Sequence, residues 1–178
     1  DCILGFLAAN PVFPSALAAR RERVLEAGWP DVVVSRLPPE DGELTRRLVS
    51  AAKTVAIERT TVRIRKHGGN VSANKLAMYA GKAAVLTRTL AARPACFEPY
   101  VDAIRAARDD AMATAFRQAL WRKAWGAAAE IYTRGVQRFA VPIQAKHSLA
   151  GLIVALGRRS GLVARDSDIG EIFDRIES

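Results

Sequence analysis

RTTVRIRKHGGNVSANKLAMYAGKAAVLTRTLAARP, residues 59–94, is the stretch that indicates the fold most clearly. Its second half is rich in alanine, the residue with the highest helix propensity. The paired glycines Gly68 and Gly69 are typical of a turn, because glycine readily adopts positive φ angles. Ser72 is a suitable N-cap for a helix that begins at Ala73, and Pro94 ends the pattern. The stretch therefore predicts a turn followed by helix between residues 73 and 92.

The composition of the whole chain favours the same fold class. Half of its 178 residues are apolar, alanine dominates that half, and aromatic residues make up only 7%. Alanine buries little area, so it favours closely packed helices and disfavours a β-sandwich or a barrel. We therefore predict an all-α, Ala-rich bundle of about six helices, with at most one short strand or hairpin.

Two β-branched runs are the candidates for a strand, residues 31–37 and 60–66, although we favour helix for the second. A proline-rich loop at 38–42 predicts a boundary between an N-terminal helical arm and loop, residues 1–42, and a main helical domain, residues 43–178. A single domain over the whole length is the alternative.

Two further helices are predicted near the C-terminus. Leu149, Leu152, Ile153 and Leu156 recur at three- and four-residue steps, which predicts an amphipathic helix. Beyond them, Asp166 or Ser167 is placed to cap a short acidic helix, whose apolar residues are Ile169, Ile172, Phe173 and Ile176.

The net charge of +9 is concentrated in two blocks. Residues 58–95 hold eight Lys or Arg against one Glu, and residues 117–165 hold nine against one. Blocks of one sign suggest an anionic partner, such as nucleic acid or an acidic protein. The alternative is that the arginines solvate helix surfaces and have no partner.

Residues 71–90 combine a small residue, Ala77, with a glycine four positions later, Gly81, and with apolar neighbours. This arrangement resembles the helix-turn-helix modules of bacterial regulators and of plasmid and transposon proteins. It departs from them at Lys82, where an apolar residue usually follows the turn, and at Thr87, where a β-branched aliphatic residue usually lies.

The resemblance implies DNA binding by a helix in the major groove. Lys82, Thr87 and Arg88 would face the groove, while a second set would hold phosphates, namely Arg63, Arg65, Lys66 and Lys75. The alternative interpretation is one continuous helix from Asn74 to Ala92, since a glycine within a helix costs only about 1 kcal/mol.

The second basic block contains aromatic residues beside cations. Arg122 and Lys123 follow Trp121, and Trp125 and Tyr132 continue at helical spacing. Such a pattern can stack bases and bind phosphates. We favour core positions for these aromatic side chains, because they supply apolar area that alanine cannot. Arg122 and Lys123 remain candidate nucleic-acid contacts.

Signals for catalysis or metal binding are weak. The two histidines, His67 and His147, have no metal-ligand spacing, and Ala83 occupies the position where a phosphate-binding loop needs Ser or Thr. We therefore predict no metal, no cofactor and no catalytic residue. An enzyme whose site is assembled from distant residues stays open but is less favoured.

The cellular compartment is predicted from two features that the sequence lacks, a membrane-spanning segment and a disulfide framework. No apolar run reaches the roughly 20 residues that span a membrane, and Cys2 and Cys96 form no disulfide framework. We expect a cytoplasmic protein without a membrane partner.

The function predicted from these features is DNA binding, as a regulator or mobile-element protein. The alternative is a helical protein-interaction module, such as an adaptor, effector or immunity protein, that binds an acidic partner. A homodimer is compatible with either.

Overall fold

The computed structural model describes residues 4, 5, 7, 14–28, 41–55, 57, 59–63, 65 and 73–177, and their regular structure is helical. In these residues there are seven α-helices and no strand, which confirms the predicted all-α bundle. The helices are α1 Arg21–Ala27, α2 Asp41–Ala51, α3 Lys75–Ala92, α4 Val101–Trp121, α5 Trp125–Ile131, α6 Ala145–Arg159 and α7 Ser167–Glu177. Two 3-10 segments, Pro14–Ala16 and Ala95–Tyr100, and a π-helical turn, Tyr132–Gln137, complete the described regular structure.

Of the two candidate strands, the described residues test only the one over 60–66, and they show no strand there. Residues 60–63 and 65 are in neither a helix nor a strand, so the helix favoured over 60–66 is wrong. The other candidate, 31–37, lies outside the described residues. The division of the chain at residue 42 stays a prediction.

Helices α3 and α4 form the centre of the core through small side chains. Because alanine has the smallest chiral side chain, two alanine-lined faces let the helices lie close together. The fully buried alanines of these two helices are Ala83 and Ala84 on α3 and Ala115 and Ala119 on α4. Phe116 and Met112 of α4 and Phe173 of α7 fill the remaining volume of this cluster.

Glycines set the closest approaches around α5 and the π-helical turn that follows it. A Cβ on Gly151 of α6 would overlap the ring of Tyr132, and one on Gly135 would overlap Met112. Tyr132 is itself held against Phe116, with ring centroids 5.5 Å apart. Helix α6 is therefore seated on the core along the edge that carries Gly151.

The helix starts show which capping predictions are right. Asp166 caps α7, because its Oδ1 accepts a hydrogen bond from the Ile169 amide at 3.0 Å. The predicted acidic C-terminal helix is thus confirmed. Helix α3 starts at Lys75, two residues later than predicted, and is capped by Asn74, whose Oδ1 accepts from the Ala77 amide at 3.3 Å.

A buried carboxylate joins α2 to α3. Glu43 of α2 accepts a hydrogen bond from Thr89 Oγ1 of α3 at 2.8 Å, and it also pairs with Arg46 and Arg47.

Among the described residues, no helix is both long enough and apolar enough to cross a lipid bilayer.

Candidate nucleic-acid interface

The predicted helix-turn-helix in residues 71–90 is wrong, because α3 runs without a break through Gly81. The alternative interpretation, one continuous helix, is the correct one apart from its first residue. Burial explains the outcome. Gly81 is buried among alanines, and tertiary packing outweighs the cost of about 1 kcal/mol for glycine in a helix. The resemblance to helix-turn-helix modules therefore does not extend to structure.

The segment predicted to enter the major groove lies in the protein interior. Ala83 to Leu86 are fully buried, and α3 packs against α4 and α7. A recognition helix must present one side to the groove. Helix α3 is instead largely a core helix, so its structure does not support the docking of this segment in DNA, which stays a prediction.

The three residues predicted to face the groove have other contacts. Lys82 is half-buried and its Nζ donates to the Leu7 carbonyl oxygen at 2.7 Å. Its pKa is lowered, mainly by burial and then by nearby Arg46. Thr87 Oγ1 donates to the Ala83 carbonyl oxygen at 2.8 Å, and Arg88 is half-buried and has an interaction partner.

The predicted phosphate contacts of the first block are placed differently. Arg63, Arg65 and Lys75 are exposed, while Lys66 lies outside the described residues. Arg65 has an interaction partner within the chain. These side chains remain predicted contacts, now without a recognition helix beside them.

Much of the second basic block is neutralised by the chain's own carboxylates. Arg134 lies 2.7 Å from Asp174 and 2.6 Å from Glu177, both on α7. The hydrogen bond from Arg134 is the main reason why the pKa of Asp174 is lowered. The other pairs are Arg138 with Glu177 at 2.6 Å, Arg165 with Asp174 at 2.9 Å and Arg158 with Glu130 at 2.7 Å. These arginines therefore already form ion pairs with carboxylates of the same chain.

The turn between α4 and α5 places two cations and two indoles in solvent. Trp121 is 79% exposed and Trp125 is 46% exposed, and Arg122 and Lys123 between them are also exposed. We call these four residues the basic-aromatic turn. The prediction that both tryptophans lie in the core is wrong, whereas Tyr132 is buried as predicted.

The backbone hydrogen bonds explain why the tryptophans leave the core. The Ala124 amide donates to the Ala119 carbonyl oxygen at 2.9 Å, and the Lys123 amide donates to that of Leu120 at 3.1 Å. This pair of bonds is a Schellman motif, which ends α4 at Trp121. The helical spacing of 121, 125 and 132 is therefore interrupted, and the two tryptophans flank a turn instead of sharing one helix face.

Lys123 holds a backbone conformation that normally belongs to glycine. It occupies the C′ position of the Schellman motif with φ +55°. Left-handed backbone costs a residue with a Cβ about 1 kcal/mol or more relative to glycine. Strained positions of this kind are often found at functional sites. The strained residue here carries an exposed cation between two exposed indoles.

We expect Lys123→Gly to stabilise the fold while removing a charge from the turn. Relief of the left-handed strain should raise the free energy of unfolding by about 1 kcal/mol. Urea unfolding followed by circular dichroism measures the change. Lys123→Gln is the control, because it removes the same charge and keeps the strain, so its stability should stay close to that of the parent. A destabilised glycine variant would contradict the assignment of strain to this residue.

Exposed tryptophans have a free-energy cost. Burial of a large apolar side chain typically contributes about 1.5–3 kcal/mol, which an exposed side chain forgoes. Exposed apolar patches with polar rims often mark binding sites.

Within the described chain, no three side chains of His, Cys, Asp or Glu are grouped as metal ligands would be. Comparison of the chain with protein-family models, curated proteins and solved structures finds no match.

Proposed function

We propose that the chain binds nucleic acid through the basic-aromatic turn. The observation that carries the proposal is the exposure of Trp121 and Trp125 on either side of the exposed cations Arg122 and Lys123. Indoles supply faces on which bases stack, and the cations supply charge for the phosphates. This proposal keeps the predicted class of partner and two of the predicted contacts, but it replaces the predicted mode of binding.

An unpaired strand fits this surface better than a duplex. Stacking on an indole needs an accessible base face, and in a duplex those faces are covered by neighbouring base pairs. The turn also offers no helix free to enter a groove, since α4 ends at Trp121 and α5 is largely buried. The proposed ligand is therefore single-stranded nucleic acid, bound without strong sequence preference.

The proposal is tested by fluorescence anisotropy with a labelled oligothymidine of about 16 nucleotides, the upper end of typical single-strand site sizes. We expect the Trp121→Ala, Trp125→Ala double variant to bind at least about tenfold more weakly, because each stacked base contributes about 1–3 kcal/mol. Leu25→Ala is the matched control, since Leu25 is an exposed apolar residue on α1. The control should bind as the parent does.

The salt dependence tests the cations separately. Each phosphate contact with a single strand changes the slope of log affinity against log salt by about 0.7. Loss of two contacts in Arg122→Gln, Lys123→Gln should therefore make the slope shallower by about 1.4. Tighter binding of a duplex of the same length, or binding that the tryptophan changes leave intact, would refute the proposal.

A further inference from the structure

The solvent face of α6 is apolar in its two middle turns. Leu149, Leu152, Ile153 and Leu156 are between 46% and 62% exposed. An amphipathic helix of a globular protein normally turns its apolar stripe to the core. Helix α6 instead packs through Gly151, Val154 and Ala155, so its larger aliphatic side chains face outward. We call these four exposed residues the α6 stripe.

The geometry of the α6 stripe matches a helix–helix seam. Successive residues of an α-helix are about 100° apart, so the four side chains fall within an arc of about 100° and extend about 10 Å along the axis. The steps of three, one and three residues correspond to heptad positions a, d, e and a. Side chains at these positions pack into the spaces of a facing helix.

The charged side chains of α6 itself are all positive. Exposed Lys146 and Arg159 lie at its two ends, and Ala145–Arg159 contains no Asp or Glu. At the N-terminal end, the pKa of His147 is lowered by desolvation and then by Lys146 and Arg117.

We propose that the α6 stripe binds an amphipathic helix of a protein partner that carries carboxylates at both ends of its apolar seam. This surface is separate in kind from the basic-aromatic turn, because aliphatic side chains give no base stacking. The cations at both ends of α6 are about 20 Å apart, a distance that one helix of about 13 residues spans. The partner class is thus set by charge as well as by shape.

Charge also argues against a second copy of this chain, and against an anionic membrane, as the occupant of the α6 stripe. A second copy in antiparallel orientation would bring Lys146 against Arg159, and a parallel copy would bring each cation against itself. An anionic membrane is best bound by cations along the flanks of an apolar face. The residues beside the α6 stripe, Ser148, Ala150 and Gly157, are uncharged.

The test uses a synthetic helical peptide of about three heptads, with leucine at a and d and glutamate at the exposed positions near both ends. Titration calorimetry with the full chain should give saturable binding. A matched peptide with lysine in place of glutamate should bind at least about tenfold more weakly. The Leu149→Gln, Ile153→Gln variant should lose about tenfold or more in affinity for the acidic peptide, while Leu25→Gln on α1 should not. Circular dichroism checks that all variants are folded.

A second readout reports where the peptide binds. Carboxylates that approach Lys146 should raise the pKa of His147, measured by proton NMR. His147→Gln identifies the resonance against that of His67. Equal affinity for both peptides, or no effect of the two glutamine substitutions, overturns the proposal. It is also overturned if the parent chain sediments as a dimer that these substitutions dissociate, or if it binds anionic phosphatidylserine vesicles through the α6 stripe but not the acidic peptide.

Discussion

Replacing Glu43 by alanine is expected to lower the free energy of unfolding by about 3–5 kcal/mol, because it leaves buried arginines without their counterion. Glu43 is 1% exposed and Arg46 is 3% exposed. The Glu43 carboxylate lies 3.5 Å from Arg46 Nη2 and 3.0 Å from Arg47 Nε. Burial lowers the pKa of Arg46, and Glu43 opposes that shift, so loss of the carboxylate removes the main compensation.

Substitution of Arg46, a partner of Glu43 in the ion pair, provides the control. Arg46→Met removes the cation that is most buried and leaves Glu43 with Arg47 and the Thr89 hydroxyl. Among the described residues Arg46 Nε has no hydrogen-bond partner, so methionine also removes an unsatisfied donor. Because Glu43 keeps a cation and a hydroxyl donor, Arg46→Met leaves no buried charge uncompensated, which is the costly outcome when one partner of a pair is removed. Urea unfolding should therefore show a much smaller loss for Arg46→Met, and a loss equal to that of Glu43→Ala would contradict this account.

Gly151→Ala is expected to destabilise the protein by about 3 kcal/mol, at the upper end of the usual cost of overpacking. The added methyl group would overlap the ring of Tyr132. That ring cannot easily move away, because it is buried and packs against Phe116 with centroids 5.5 Å apart. Differential scanning calorimetry, supported by urea unfolding, measures the effect.

Gly157→Ala is the matched control on the same helix. Its new methyl group would lie 3.0 Å from Val163 Cγ2, the end of a side chain that can adjust. Alanine also gains up to about 1 kcal/mol of helix propensity over glycine. We expect the control to stay within about 1 kcal/mol of the parent. Similar losses at both positions would show that the close approach of Gly151 to Tyr132 does not set the position of α6.

The fold class could be predicted from the sequence because it depends on local preferences. Alanine content indicated helices, and Asp166 followed by apolar residues at helical spacing indicated α7. Gly81 shows the limit of local evidence. Its cost in a helix is too small to decide between a turn and a continuous helix, so packing against α4 decides.

The candidate site was harder to predict because it depends on where a helix ends and on what packs against it. The spacing of Trp121, Trp125 and Tyr132 is correct for one helix face, but the Schellman turn at Lys123 separates the two tryptophans from Tyr132. A lysine at that position gives no local sign of left-handed backbone. The available signal was the pairing of the cations Arg122 and Lys123 with neighbouring aromatic residues.

The two basic blocks illustrate the same limit for charge. Along the chain, the positive charges form two similar blocks. In three dimensions, α7 brings Asp174 and Glu177 to the arginines of the second block. Similarly, α6 has the predicted apolar spacing, but its outward orientation follows from Gly151, whose fit against Tyr132 is visible only in the folded structure.

The alanine-lined contact between α3 and α4 has a consequence for how this sequence can diverge. The contact is formed by small side chains that look easy to replace, yet any bulkier substitute would force the two helices apart. These side chains are Ala83, Ala84, Ala115 and Ala119. The aliphatic residues at 149 and 153 could drift freely as far as folding is concerned. Invariant alanines among homologues would therefore reflect the requirements of folding. Invariant aliphatic residues on α6 would reflect selection for binding to a partner.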